Sequence, residues 1–269
     1  MIVIIYILVI LFGIVIGSFL NVCIDRLPAR KSLLSPPSHC DGCQKRLTAL
    51  DMIPVISYLV LRGRCRHCGA RIPKRVLIVE ALTGAIFALA FWRFGVEPEF
   101  FITIFWSCIF ISIIFIDLEY QLILNKITYP AMIIALIILV IDVFAPDQGI
   151  LSNLRVFDNQ GMIPVNSVVS GLLGGGIFFI FFVVVFLVNP RGLGMGDIKL
   201  AALIGLATGF PLVFVSMFVG IVLGGIVAVV LIFFRRKGRK DIMPYGVFLG
   251  VGPIVALLWG ADILNWYLG

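Results

Sequence analysis

The chain has 269 residues, of which 61% are hydrophobic and 13% charged, with a mean hydropathy of +1.16. A soluble globular domain of that length is excluded, and a bilayer is the expected environment. The net charge of +7 does not point to nucleic acid, because the basic residues gather in two clusters flanking apolar segments, as membrane topology requires.

Residues 1–24, 100–116, 159–190, 200–234 and 242–261 carry no Lys, Arg, Asp or Glu, and each is long enough to span or nearly span lipid. The first run lacks a basic leader and is followed by Arg26, Arg30 and Lys31, so it reads as a retained anchor rather than a cleaved signal, with its N-terminus outward. Spans are predicted near 2–24, 76–93, 100–117, 127–145, 166–188, 197–210, 212–234 and 244–262. The sixth and seventh are separated because residues 200–234 would make one helix of about 52 Å, and Thr208-Gly209-Phe210-Pro211 offers a turn in its middle. Charge placement agrees. Eleven of the 21 Lys and Arg residues lie between Arg26 and Arg75 and five more in Arg235–Lys240, and eight crossings put both clusters on the cytoplasmic side.

The expected architecture is therefore all-α, a polytopic membrane bundle of about eight transmembrane helices with a small cytoplasmic zinc-binding insertion. Its parts are a first helix at 1–24, a tetracysteine insertion at 25–75 and a membrane core at 76–269. Small residues at four-residue spacing, in Gly13/Gly17, Gly171/Gly175, Gly205/Gly209, Gly220/Gly224 and Gly246/Gly250, permit close helix approach in lipid.

Two acidic residues carry the candidate chemistry. Asp117 ends an apolar span in Phe115-Ile116-Asp117-Leu118-Glu119-Tyr120, and Asp197 follows one in Gly192-Leu193-Gly194-Met195-Gly196-Asp197. The topology places both at the cytoplasmic boundary. Either carboxylate alone is explained equally well by a helix end reaching headgroup water. Brought together, two carboxyls share one proton, and the pair can serve as base and acid for peptide hydrolysis without a metal. The glycines at 192, 194 and 196 leave room for an extended peptide or a partner helix. Glu119 and Lys199 lie two residues beyond the aspartates, where they could tune the pair electrostatically or anchor at the surface, the simpler role.

Cys40-x2-Cys43 and Cys65-x2-Cys68 have the spacing of a structural zinc site, in which four thiolates bind Zn²⁺ tetrahedrally and fold a segment too small to build a core. A pair of redox motifs is the alternative, although no βαβ pattern surrounds them. His39 and His67 adjoin the cluster, and Cys23 and Cys108 fall within spans as small hydrophobes. Glu80 interrupts the second span near its cytoplasmic start, and Asn21 and Asp25 sit at a similar depth in the first. Together they would line a polar pocket or simply hydrogen-bond between helices.

Over nearly its full length the chain resembles the bacterial type IV prepilin peptidases. The resemblance rests on Gly17-Ser18-Phe19-Leu20-Asn21-Val22-Cys23-Ile24-Asp25-Arg26-Leu27-Pro28, Pro37-Ser38-His39-Cys40-Asp41-Gly42-Cys43 and Ile53-Pro54-Val55-Ile56-Ser57-Tyr58. The Cys65/Cys68 pair, Val79-Glu80-Ala81-Leu82-Thr83-Gly84, the Asp117 segment, Gly194-Met195-Gly196-Asp197 and Met243-Pro244-Tyr245-Gly246 follow in family order. It implies that Asp117 and Asp197 are the catalytic pair of a GxGD-type aspartic membrane protease of the bacterial inner membrane. The substrates implied are type IV prepilins or pseudopilins, cut after a Gly that precedes an apolar helix. Many members also methylate the new N-terminus with S-adenosylmethionine, an activity associated with the cysteine-bearing insertion; Glu80 and Gly63 are the candidate residues for it here. A proton-coupled carrier and a zinc-dependent assembly scaffold are the competing classes. The first needs polar groups near mid-membrane rather than at one face, and the second needs neither aspartate.

Overall fold

A computed structural model describes residues 2–144, 167–188, 194–234 and 244–268. Gly192, Leu193, the basic run Arg235–Lys240 and Met243, all named above, lie outside them. The described chain is helical with no named strand, and it divides into two compact units, Met1–Gly95 and Val96–Gly269.

The first unit holds α1 (Ile2–Arg26), the single-turn 3₁₀ helix Ala49–Met52, the short α2 (Ile56–Val60) and α3 (Lys74–Phe94). Helices α1 and α3 run antiparallel, and small residues let their backbones meet. A Cβ on Gly13 would lie 2.8 Å from Phe87 Cβ, and one on Gly17 2.8 Å from the Glu80 Cα. Farther along the seam Tyr6 and Phe91 stack edge to face with centroids 4.8 Å apart, and the Asn21 amide donates to the Val76 carbonyl at 3.0 Å.

The second unit holds α4 (Pro98–Tyr120), α5 (Asn125–Phe144), α6 (Ser167–Val188), α7 (Met195–Thr208), α8 (Leu212–Phe233) and α9 (Tyr245–Leu268). Proline opens α4 at its first position, where no intrahelical donor is needed. The break expected around Thr208–Pro211 is present: Gly209, at φ +67°, ends α7 and its N–H closes on the Gly205 carbonyl. Fully buried Trp106, Phe110, Phe178, Leu200, Leu203 and Leu212 form the core, whereas Ile180, Phe218 and Val229 stand out from it, as lipid contact demands. Gly205 of α7 packs its Cα against the Gly174 carbonyl of α6, with no room for a Cβ. Gly205→Val is expected to lower stability by about 1–3 kcal/mol or more, read as a fall in the thermal midpoint in detergent, with Gly176→Ala, which meets open space, unchanged.

Among the described residues seven helices are long and apolar enough to cross a membrane: α1, α3, α4, α5, α6, α8 and α9. The protein is thus multi-pass. The predicted sixth crossing is α7, whose 14 residues reach about 21 Å, short of a hydrocarbon core of about 30 Å. The Gly209 turn stops it there and fixes the length at which Asp197 stands from the next helix.

Candidate active site

Asp117 sits in the last turn of α4. The helix ends there because Gln121 takes a left-handed conformation, φ +53°, and its N–H closes on the Asp117 carbonyl at 2.9 Å. The Asp117 side chain, only 5% exposed, turns toward the start of α9. Its Oδ2 accepts the Val247 N–H at 3.1 Å. This is a first-turn amide, which has no acceptor within its own helix. Gly246 is required by this packing, since a Cβ would lie 2.8 Å from Oδ2 and 3.0 Å from Cγ.

Asp197 occupies the third position of α7, and its Oδ2 accepts the Gly194 N–H at 3.0 Å, an N-terminal cap made by the chain on itself. It is 8% exposed, and its carboxyl is close enough to Asp117 for the charge of one to act on the other. Gly196, one residue earlier, lies against Ile123, where a Cβ would come within 2.9 Å of the Ile123 Cβ. The short segment between α4 and α5 is thereby wedged beside Asp197. Two carboxyls 80 residues apart in sequence, each accepting a backbone N–H, are therefore brought near enough to interact electrostatically.

The neighbours fall differently from expectation. Lys199 donates from Nζ to Asn125 Oδ1 at 3.1 Å and stands 5.3 Å from the Tyr129 ring centroid, so it ties α7 to the start of α5 rather than only reaching for headgroups. Glu119 is exposed. The part played by Gly246 and Val247 was not read from the sequence, where Gly246 stood out only as a small residue and within a motif. Their partner is about 130 residues away, and the available signals were the Gly246/Gly250 spacing and the Met243-Pro244-Tyr245-Gly246 motif. Asp142 of α5 and Glu99 of α4, 1% and 3% exposed, are further buried carboxyls that the hydrophobic pattern passed over.

The first unit contains a candidate metal centre. The four thiols of Cys40, Cys43, Cys65 and Cys68 all lie within 4.8 Å of one another, and none is disulfide-bonded. Tetrahedral thiolates about 2.3 Å from Zn²⁺ stand about 3.8 Å apart, and the Cys40 and Cys68 sulfurs are 3.8 Å apart. The two pairs sit on matching turns, closed by antiparallel bridges His39 to Arg46 and Arg64 to Arg71. In each, the first cysteine's N–H donates to the carbonyl five residues on, Lys45 at 2.9 Å and Ala70 at 2.8 Å. The fifth residue of each turn, Gln44 or Gly69, has positive φ. Amides of Cys68 and His67 draw the Cys65 thiol down to about 7, toward the thiolate that binds metal. At Cys68 the Ala70 amide pulls the same way, but loss of solvent and the neighbouring sulfurs outweigh it and push that thiol up to about 11. His39 and His67 stand outside the cluster.

Of the other polar residues in this unit, Glu80 is 3% exposed and accepts the Val55 N–H at 2.7 Å. Asp25 pairs with Arg75 at 2.5 Å. Gly63, at φ +67°, has its N–H on the Tyr58 carbonyl and its own carbonyl accepting from Ile72, so both backbone groups serve the loop itself.

Comparison with known proteins adds a family to this geometry. Residues 11–94 match the bacterial peptidase A24 N-terminal domain, and residues 102–229 match the type IV leader peptidase family. A protein of Legionella pneumophila named prepilin leader peptidase/N-methyltransferase is 30% identical, with 98% of this chain and 94% of that one covered. The chain belongs to the type IV leader peptidase family. Proteins with the same name from Bacillus subtilis (strain 168) and Aeromonas salmonicida (strain A449) are each 29% identical, covering 96% and 97% of this chain and 96% and 93% of theirs. No solved structure matches. In this leader peptidase both aspartates fall within the type IV leader peptidase match and all four clustered cysteines within the N-terminal one.

Proposed function

We propose that this leader peptidase cuts the leader from type IV prepilins or pseudopilins at the cytoplasmic face of the bacterial inner membrane, using Asp117 and Asp197 as its catalytic pair. The observation that carries the reading is the approach of two buried carboxyls near enough to interact electrostatically, each accepting a backbone N–H at the start of a helix. In hydrolysis the ionised carboxylate takes a proton from water as the water oxygen attacks the scissile carbonyl, while the protonated partner polarises that carbonyl and protons pass on to the leaving amine. The eleven basic residues between Arg26 and Arg75 support the cytoplasmic placement. There a substrate's leader emerges from the membrane while its apolar helix stays in lipid. The test is cleavage of a prepilin by wild type, Asp117→Asn and Asp197→Asn proteins, with activity expected in the first alone.

Zinc fits the four cysteines, whose sulfur spacing and unpaired thiols suit a closed tetrahedral site with a structural role. Cys40, Cys43, Cys65 and Cys68 would hold it, and it would cross-link the two turns of the insertion.

The relatives' printed names include N-methyltransferase activity, and we extend it to this chain. S-adenosylmethionine, when bound, supplies an electrophilic methyl group on a sulfonium cation. A buried carboxylate suits a cation, and Glu80, anchored through the Val55 N–H, fits that need. Gly63 shapes the adjacent turn. Glu80→Gln is expected to reduce transfer of a radiolabelled methyl group at least about tenfold, a loss consistent with removing a charged partner, while leader cleavage persists. Equal loss of both activities would assign Glu80 to the fold instead.

A further inference from the structure

The insertion between α1 and α3 carries an apolar segment that its own fold does not cover. Met52-Ile53-Pro54-Val55-Ile56-Ser57-Tyr58-Leu59-Val60-Leu61 has no charged side chain and is bounded by Asp51 and Arg62. A run of about ten residues is too short to span lipid, and it belongs either in a protein core or at a membrane interface. Exposure excludes the core. Met52 is 49% exposed, Ile53 39%, Ile56 56%, Leu59 60% and Val60 72%, with Leu50 just before them at 63%. Large apolar side chains gathered in this way on a surface mark a contact with lipid or protein.

The segment is tied to a membrane-spanning helix. Val55 donates its N–H to Glu80 Oε2 at 2.7 Å, and Glu80 lies in α3, one of the helices long and apolar enough to cross. The ion pair of Asp25 and Arg75, from the end of α1 and the start of α3, marks the charged edge of that helix pair. Glu80 stands five residues past Arg75, about 7.5 Å farther along the axis. Its side chain tilts back toward the start of α3, so the bond draws Val55 to the charged edge rather than leaving it out in water. Val55 has φ +61°, a conformation that β-branched residues rarely take and that persists only where the surroundings hold it. Ile78 and Leu82 of α3, on either side of Glu80, are 51% and 38% exposed, so the lipid-facing surface of the span reaches the depth at which the segment is anchored.

Charge complements this placement. Eleven Lys and Arg residues against three acidic ones, Asp25, Asp41 and Asp51, lie between positions 25 and 75, and the exposed Arg62 and Arg64 follow the segment directly. Apolar side chains with basic ones beside them match the acyl boundary and the anionic headgroups of a bilayer surface.

We propose that residues 50–61 are an interfacial anchor, which lays Leu50, Met52, Ile53, Ile56, Leu59 and Val60 into the bilayer leaflet where α1 ends and α3 begins. The occupant of this surface is lipid. A substrate helix would be a passing occupant and would leave six large apolar side chains in water between turnovers, whereas the bilayer around α1 and α3 is always present. The insertion is thereby held down on the membrane through this segment, with Val55 and Glu80 as its fixed point.

The test is photolabelling of the wild-type protein in liposomes of phosphatidylethanolamine and phosphatidylglycerol that include a phospholipid with a photoreactive group in its acyl chain. Adducts are mapped by peptide mass spectrometry after irradiation. Residues 50–61 are expected to be labelled as are the lipid-facing positions Ile180 of α6 and Phe218 of α8. Their labelling is also expected to exceed that of the cysteine turn at 40–46 at least about tenfold, the ratio that corresponds to burying one large apolar side chain. Labelling no higher than in that turn would overturn the proposal. Loss of the label from residues 50–61 on addition of saturating prepilin, with α6 and α8 still labelled, would also overturn it and make the segment a substrate surface.

Discussion

Asp117→Asn and Asp197→Asn are each expected to lower kcat for leader cleavage at least about 10³-fold, within the range that a general acid or base contributes, while the helical content and thermal midpoint stay near those of wild type. Asparagine keeps an oxygen that accepts the Val247 N–H at position 117 or the Gly194 N–H at position 197, so both helix starts remain capped. What it removes is the exchangeable proton. On the proposed mechanism the two carboxyls work as one unit, so the double variant is expected to be no slower than the slower single one. A carrier would show no peptide cleavage at all, and a scaffold would need neither aspartate, so retained cleavage in either variant contradicts the mechanism. The measurement is initial rates on a purified prepilin in detergent, with circular dichroism on the same samples.

The second large effect expected is loss of the insertion's fold when the proposed zinc site is broken. Between residues 27 and 78 Gly63 alone is buried, so this segment has no hydrophobic core of its own. Its order depends on the two cysteine turns, on the Arg66 to Asp51 pair at 2.8 Å and on the Thr48 cap over Ala49–Met52. Exposed pairs of that kind contribute little, whereas a structural Zn²⁺ bound by four thiolates contributes about 10–16 kcal/mol in isolated zinc-binding peptides. Cys40→Ser or Cys65→Ser should therefore abolish zinc retention and open the Lys and Arg residues between positions 45 and 71 to trypsin, while residues 96–269 stay helical. Zinc per chain by atomic emission and limited proteolysis with mass mapping read both effects. An insertion that stays protected without zinc would show that the cysteines are not its staple.

Much of the fold was legible because helix formation in lipid follows from local apolar composition. Long uncharged runs mark helices wherever they occur, and Gly95, Pro98, Gly209 and Pro211 mark where they stop, so the predicted spans and the observed helices differ by a few residues at each end. The separation of α7 from α8 was readable from length and turn chemistry alone. The shortness of α7 was readable too, since the predicted span 197–210 has 14 residues, as many as the observed helix and too few to cross by itself. The cysteine spacing forecast a cluster; the paired turns that bring Cys40 within 3.8 Å of Cys68 depend on backbone conformations at Gln44 and Gly69 that no periodicity encodes. At the candidate site the aspartates announced themselves as charges at the ends of apolar runs. Their supports did not, since Val247 contributes a backbone N–H, Gly246 contributes the absence of a side chain, and both act across 130 residues of chain.

Leader cleavage by the aspartate pair is tested most directly by incubating the purified chain with a full-length prepilin in detergent and determining the product's new N-terminus by mass spectrometry. One cut is expected, directly after a Gly that precedes the substrate's apolar helix, made by wild type and by neither Asn variant. No cut, or a cut that survives the loss of both aspartates, would contradict that mechanism.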